Sequence, residues 1–352
     1  WRMYSGLTES AALTIAAHGN DTLKRTYLPK MIAGDWSGTM CLTEAHSGTD
    51  LGILKTRAEP QADGSYAITG TKIFISAGEH DLTQNIVHLV LARLPDAPAG
   101  TRGISLFVVP KFRPDANGDA GERNGVVCGS IEHKMGIHAS PTCVMHFNDS
   151  IGWLLGKPNE GLACMFTMMN QARLGVGLQG HGLSELAWQA SIAYANDRLQ
   201  GRAMSGVKEP GKAADPIIVH PDVRRMLLTQ KAFVEGGRVL CFLTGREIDS
   251  AHLNPDPQAR QASNDLIAFL TPIVKGFLTE AAMEVTSLAV QIHGGHGFIR
   301  QTGVEQLMRD QQVAQPRVNI GFTVGESVVV TSGPFSDMIG MVDSLDMERG
   351  RV

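Results

Sequence analysis

The chain lacks a cysteine framework. Its five cysteines, Cys41, Cys128, Cys143, Cys164 and Cys241, are scattered over 352 residues, and no two form a CxxC pair. An odd, dispersed set excludes a disulfide-stapled secreted fold and reads as reduced thiols in a cytoplasmic setting. Charge of one sign is also missing. The 31 basic and 35 acidic residues leave a net charge of −4, which supplies neither a basic face for nucleic acid nor an acidic tail. No apolar run is expected to reach the roughly 20 residues that span a bilayer. No cleavable leader is visible, and the chain opens at Trp1 inside a stretch that already reads as helix, so its true start is expected upstream. What is present is ordinary for a globular protein: 43% hydrophobic and 19% charged residues, in a length that suits two or three structural units.

Three textures follow one another. Residues 1–38 read as helical, with Leu7, Ala11 and Ile15 near helical spacing and Asn20-Asp21 placed to cap a second helix. From about Thr39 to Phe147 the pattern becomes short β-runs: Gly64–Ser76, Ile86–Ala92, Gly103–Val109, Val126–Ile131 and Thr142–Phe147. Strands without long helices between them suit a small antiparallel barrel or sandwich, with 110–123 as an excursion. From Gly161 the chain is helical again. The first long helix is expected over Leu162–Leu199 and the next from Pro221 to about His252. A third, capped by Ser263 and bent at Pro272, is expected to end near Gln291, and the three make a bundle. After Gln315-Pro316 the pattern is strand, turn, strand over Ser327–Thr331, Ser332–Phe335 and Met341–Leu345.

Several stretches carry candidate chemistry. Met40–Gly52 packs Thr43, Ser47 and Thr49 hydroxyls, Gly48 and two carboxylates into one loop. That suits a flat, phosphate-bearing cofactor, and it equally suits a well-capped turn. Gly175-Val-Gly177-Leu-Gln-Gly180 matches GxGxxG, but a dinucleotide fingerprint follows a strand, whereas these glycines fall within a helical pattern, where they favour close helix approach. His293-Gly-Gly-His296-Gly has the look of a metal pair without further ligands at useful spacing; its glycines instead allow backbone amides to approach a phosphate or ring. Arg173 lies among Met165, Phe166, Met168, Met169 and Leu174, and needs an anionic partner or a route to solvent. Arg198, Arg202, His220 and Arg224 make either a phosphate-binding edge or a solvated face.

Met40–Gly52, Gly70–Gly78, Arg173, Asp197-Arg198 and Gln291–Gly297, in that order and spacing, together resemble the acyl-CoA dehydrogenase family of flavoenzymes over residues 1–314. The loop Lys111–Arg123 and the stretch His220–Met226 look most like the larger subfamily that includes 3-methylmercaptopropionyl-CoA dehydrogenases. The resemblance implies an α+β fold: the remainder of an N-terminal helical domain (1–38), a middle antiparallel β-barrel (39–152) and a C-terminal helical bundle (153–315), followed by a short β segment (316–352). It implies bound FAD. In family terms Leu42, Thr43, Gly48 and Thr49 lie along the flavin, and Thr49 also faces the CoA moiety. Phe74, Ile75 and Ser76 match a Trp-Ile-Thr motif beside it. Arg173, with Asn170 on the same helix, contacts the acyl-CoA. Arg198, Gln291, Gly294 and Gly295 make cofactor contacts between subunits of a homodimer or homotetramer. The implied reaction is α,β-dehydrogenation of an acyl-CoA thioester, with electrons passing to an electron-transferring flavoprotein.

The chain departs from the family where the base should be. The usual glutamate follows the segment matching Met308-Arg309-Asp310, and Val318 stands in its place. The other family position, beside the substrate arginine, holds Ala172, and Glu326 lies too far along. No catalytic residue is therefore assigned, and turnover is expected to be impaired. The alternative is a flavin- or CoA-binding remnant without turnover. Residues 322–352 resemble a KOW module of NusG-type transcription elongation factors, cut short, so the joint is expected to be an artefact of assembly or recombination.

Overall fold

The computed structural model describes residues 2–314, 327–329 and 339–341. Two compact units are present, one of Trp1–Lys134 and His138–Ala172, the other of Met135–Ile137 and Arg173–Val352.

The first unit opens with helices α1 (Arg2–His18) and α2 (Asp21–Ala33). Asn20 is extended, and its side chain accepts the Leu23 N–H at 2.9 Å, the capping geometry that satisfies an orphan donor of the first turn. Gly34, at φ 84°, ends α2 in the left-handed conformation. Helix was expected through residue 38; this stop lets strand β1 (Trp36–Cys41) begin earlier. There follow β2 (Arg57–Pro60), β3 (Tyr66–Ser76), β4 (Asn85–Arg93), β5 (Ile104–Pro110), the hairpin β6 (Phe112–Pro114) and β7 (Ala120–Arg123), β8 (Val126–Ile131) and β9 (Thr142–Leu155).

The pairings β4–β5, β5–β9, β9–β3, β3–β2 and β2–β4 run in a closed ring, with β1 added on β4 and β8 on β9. β1 and β2 join β4 in parallel, where an antiparallel set was expected. Both faces of the central strands are covered. Val87, Leu89 and Leu91 of β4 and Ile104, Leu106 and Val108 of β5 pack with Leu7, Ala11, Ile15, Tyr27 and Met31 of the two helices. The alternate residues Val90, Ala92, Phe107 and Val109 face the ring interior with Ile68, Ile75, Cys143, Met145 and Phe147. Burial on both faces is why these strands read as continuous apolar runs, and each large side chain so buried contributes roughly 1.5–3 kcal/mol.

The boundary between units falls within α3 (Gly161–Asp197). The second unit continues with α4 (Pro221–Leu253), α5 (Pro257–His293) and α6 (Val304–Ala314). Pro221 opens α4 as expected. The cap of α5 is Asp256, which accepts the Gln258 N–H at 3.0 Å, so the helix starts before Ser263. The Ser263 hydroxyl instead donates to Glu247 Oε2 at 2.9 Å, and α5 continues through Pro272. The expectation about apolar runs is corrected too: Pro257–Phe298 is long and apolar enough to cross a membrane by length and composition alone, with 39% of its most apolar window buried. Here α5 packs along α4 and α6. Strands β10 (Ser327–Val329) and β11 (Ile339–Met341) pair antiparallel. The remainder of the KOW-like stretch, its expected turn at Ser332–Phe335, and the position of Val318 lie outside the described residues.

The GxGxxG glycines do lie inside a helix, and the second and third bring α3 against α5. A Cβ on Gly177 would lie 2.8 Å from Val274 Cγ1, and one on Gly180 would lie 3.0 Å from the Leu278 carbonyl oxygen. Gly180→Leu is therefore expected to destabilise the chain by about 1–3 kcal/mol through overpacking. Gly182→Ala, whose methyl would meet nothing within 4 Å, should be neutral or stabilising by up to about 1 kcal/mol. Urea unfolding of the two variants measures the difference, and equal midpoints would refute the helix-contact role.

Candidate active site

In the first unit the site is organised by two charges that the fold hides. Lys72 sits on the inward phase of β3 with Ile68, and it is 0% exposed; Glu44, in the loop after β1, is 4% exposed. Lys72 Nζ donates to Glu44 Oε1 and to the Leu42 carbonyl, both at 2.9 Å. Glu44 also accepts from Lys55 N at 2.7 Å, Thr56 N at 3.0 Å and Thr56 Oγ1 at 2.6 Å. Burial alone would raise the Glu44 carboxyl, but Lys72 and these donors outweigh it and hold the group down at about 2. Burial presses the Lys72 ammonium below the ordinary lysine value, against the pull of Glu44. With its donors aimed at two oxygens, we assign the pair as ionised.

This pair welds loop to strand. Glu44 and Ser47 exchange backbone hydrogen bonds at 2.9 and 3.0 Å, and the Ser47 hydroxyl donates to the Asp50 carbonyl at 2.8 Å. Ile73 and Phe74 leave the β3–β9 register, and the Ile73 N–H turns to the Thr43 carbonyl at 2.9 Å. Phe74 adopts φ 59°, unusual for a bulky residue, and its ring is 59% exposed. Leu42, Thr43, Phe74 and Ser76 are thereby brought to one loop–strand junction. Ile75 instead points into the ring interior, 2% exposed, because the irregular step after Lys72 inverts the phase. Gly48 and Thr49 stand exposed at the loop tip.

The junction fits a flat, anionic group. Among the described residues, the backbone N–H groups of Thr43, Gly48 and Thr49 donate to no acceptor. A Cβ on Gly48 would meet nothing within 4 Å, and its φ is not left-handed, so the fold itself does not require glycine there. Unspent donors, an open glycine and an exposed ring make a surface suited to a polar aromatic ligand.

The second unit brings together Arg198, Gln291, Gly294 and Gly295. The Arg198 N–H donates to the Tyr194 carbonyl at 2.8 Å, and the Arg198 carbonyl accepts from Ile217 N at 2.8 Å. Among the described residues, its guanidinium makes a 3.4 Å contact with Gln200 Oε1. The other groups weighed for a phosphate edge are committed elsewhere. Arg202 donates to Asp215 at 3.2 Å and to the Glu209 and Lys212 carbonyls. His220 bonds the Gln200 carbonyl at 2.8 Å, and Arg224 the Ile218 carbonyl at 2.9 Å. Asp215 is fully buried. Burial raises its carboxyl, but the Ala203, Glu209 and Lys208 amides and Arg202 together bring it down to about 2. Gly294, at φ 57°, ends α5, and nothing lies within 4 Å of a Cβ on Gly294 or Gly295. Arg173 and Asn170 lie on α3, far along the helix from Arg198. Burial and the Arg173 charge both press the half-buried Lys275 ammonium down.

Sequence reasoning missed three residues. Lys72 had a signal, a lysine at an inward-phased strand position, and Glu44 is the loop carboxylate it answers. Tyr194, which joins Arg198 to the glycine turn, had none.

The profile of the acyl-CoA dehydrogenase middle domain matches residues 39–150, and that of the acyl-CoA dehydrogenase C-terminal domain matches residues 159–316. The chain belongs to the acyl-CoA dehydrogenase family. It is 52% identical over 307 residues to the 3-methylmercaptopropionyl-CoA dehydrogenase of Ruegeria pomeroyi, covering 87% of this chain and 52% of that protein. It is 31% identical over 301 residues to an acyl-CoA dehydrogenase of Bacillus subtilis, covering 84% of this chain and 68% of that protein. The butyryl-CoA dehydrogenase structure from Megasphaera elsdenii superposes with a TM-score of 0.70 at 26% identity, over 89% of this chain and 72% of that one. The chain spans about half the length of several curated relatives that it matches. Both profiles end by residue 316, so the KOW likeness of 322–352 gains nothing from them.

Removing one partner of the buried pair leaves an uncompensated charge. Lys72→Met is expected to lower stability by about 3–5 kcal/mol, measured by thermal unfolding. Because the Glu44 carboxyl is depressed from 4.5 to about 2, its stabilisation is complete above pH 4.5 and is lost as pH falls through about 2. Glu44→Gln should flatten that acid limb, and an unchanged limb would show that Glu44 does not carry it.

Proposed function

We propose that this chain carries the flavin- and substrate-holding parts of an FAD-dependent acyl-CoA dehydrogenase, with 1–38, 39–152 and 153–315 as its helical, sheet and bundle portions. The observation that carries the reading is the junction of Leu42–Thr49 with Phe74–Ser76, where unspent donors and an exposed ring stand on a buried ion pair. FAD bound there would supply the acceptor for the β-hydride of an acyl-CoA thioester. Thr43 offers its hydroxyl and its backbone N–H to the edge of a flat heterocycle, and Phe74 provides an apolar wall beside it. Gly48 and Thr49 leave the loop tip open to a polar chain. In the second unit, Arg198 offers a positive charge to phosphate, and Gly294 and Gly295 leave backbone open to close approach. Arg173, with Asn170 on the same helix, would orient the acyl-CoA.

Removal of the α-proton needs a base, and neither Ala172 nor Val318 can take a proton. The chain as written is therefore proposed to hold oxidant and substrate but to turn over poorly. An acyl-CoA thioester such as 3-methylmercaptopropionyl-CoA is the substrate class, and an electron-transferring flavoprotein is the acceptor. A homodimer or homotetramer in the cytoplasm is the expected setting, in keeping with five free cysteines. For 322–352 the KOW likeness is proposed only as a fragment joined to the dehydrogenase.

Anaerobic titration of the FAD-loaded chain with a panel of acyl-CoA thioesters tests the reading. The flavin absorbance is expected to perturb on binding and to bleach slowly. Where the backbone at 318 follows the family, Val318→Glu should speed bleaching by roughly 10²- to 10⁴-fold, the usual contribution of a placed general base. Failure to bind FAD would sink the proposal; binding without bleaching in either form would favour the non-catalytic remnant.

A further inference from the structure

Tyr194 lies in the last turn of α3 and touches both cofactor-facing features of the second unit. Its ring stacks on His293 with centroids 4.3 Å apart and planes at 26°. Its hydroxyl shares a 2.8 Å hydrogen bond with His296 Nδ1. Its carbonyl accepts the Arg198 N–H at 2.8 Å. His293 is buried, and its Nδ1 donates to the Ala289 carbonyl at 2.8 Å, so the ring that Tyr194 stacks on is itself fixed. The turn is held from its other side as well. The Thr302 hydroxyl donates to the His296 carbonyl at 2.7 Å, and a Cβ on Gly297 would lie 2.3 Å from the Val290 carbonyl oxygen. Among the described residues, the side-chain tether from α3 to Gly294–Gly297 is thus the Tyr194–His296 bond.

We propose that Tyr194 is a positioning residue for the diphosphate-bearing dinucleotide: through His296 and its own carbonyl it locks the open Gly294-Gly295 backbone to the helix end that presents Arg198. A diphosphate spans several ångströms and carries charge on both phosphates, so it rewards two donors held at a fixed separation more than either alone. Neither Arg198, just past the end of a helix, nor a glycine turn fixes that separation by itself. This inference rests on the FAD reading above.

The test is FAD affinity of the apoprotein, followed by flavin fluorescence, for the unmodified chain, Tyr194→Phe, His296→Ala and the double variant. Phe keeps the ring on His293, so thermal unfolding without FAD should move less in Tyr194→Phe than FAD affinity does. Each single change is expected to weaken FAD binding by roughly 3- to 10-fold, the effect of one hydrogen bond. The double variant should be no weaker than the singles, because both remove the same bond. Unchanged affinity in Tyr194→Phe while the unmodified chain binds FAD, or single effects that multiply in the double variant, would overturn the proposal. Loss of FAD affinity matched by an equal loss of apoprotein stability would overturn it too, by reducing Tyr194 to a packing residue. An unmodified chain that binds no FAD removes the cofactor assignment itself, and this inference with it.

Discussion

The contact between Glu44 and Lys72 is the constraint on which the first unit's candidate surface depends. Taking both charges out of water is costly, and an apolar pair of similar volume would stabilise the ring at least as well. What the ion pair adds is register. An apolar pair could slide, whereas the carboxylate has four donors at fixed angles and the ammonium is shared with the Leu42 carbonyl. These bonds set where the loop after β1 crosses β3, and the Ile73 N–H then meets the Thr43 carbonyl. Phe74 can hold its unusual backbone conformation because the residues on either side are over-determined, Lys72 by its two bonds and Ile75 by the core.

The second unit reaches a comparable end with other means. There the ligand-facing parts are a helix terminus and a glycine turn, and the supports are aromatic stacking, a buried aspartate and close helix approach. Asp215 absorbs Arg202 and three backbone donors, which settles the loop after α3, while the Arg198 guanidinium meets Gln200 at 3.4 Å. Gly177 and Gly180 let α3 lie against α5, and that same α5 ends in the glycine turn. A motif that reads as a phosphate loop is here a packing device, several turns before the helix end that faces the proposed ligand.

Local chemistry made much of this fold readable in advance. Caps such as Asn20, the opening proline at 221 and the apolar runs of β4 and β5 act over a few residues, and they place their elements to within a turn. The misreadings all involve a competition that local pattern does not decide. Ser263 is a fair cap, but Asp256 followed by Pro257 is a better one, and the earlier start wins. β1 and β2 could pair with β4 in either sense, and both join it in parallel. At the candidate site the ligand-facing residues came from family resemblance; Leu42, Thr43, Phe74 and Ser76 share one junction, whereas Ile75 points into the core and Arg173 and Asn170 lie elsewhere on α3. The supporting pairs were missed because their contacts are long-range, Glu44 and Lys72 being separated by 28 residues and Tyr194 and His296 by 102, although Lys72 alone carried a signal as a lysine at an inward-phased strand position.

On the proposed reading, this architecture divides the labour of a dehydrogenase unevenly. Each unit carries its own candidate cofactor-facing surface on buried supports: the loop after β1 and β3 on Glu44 and Lys72 in the first, and the end of α3 and the glycine turn on Asp215 and His293 in the second. Taking the α-proton needs a base, which neither Ala172 nor Val318 can supply. On that reading a substitution at the base acts on rate, whereas a substitution at Glu44 or Lys72 acts on the fold that presents the first unit's surface. The two functions are thus separated by residue: the side chains proposed to hold the cofactor are not at the positions, Ala172 and Val318, where the family resemblance places a base.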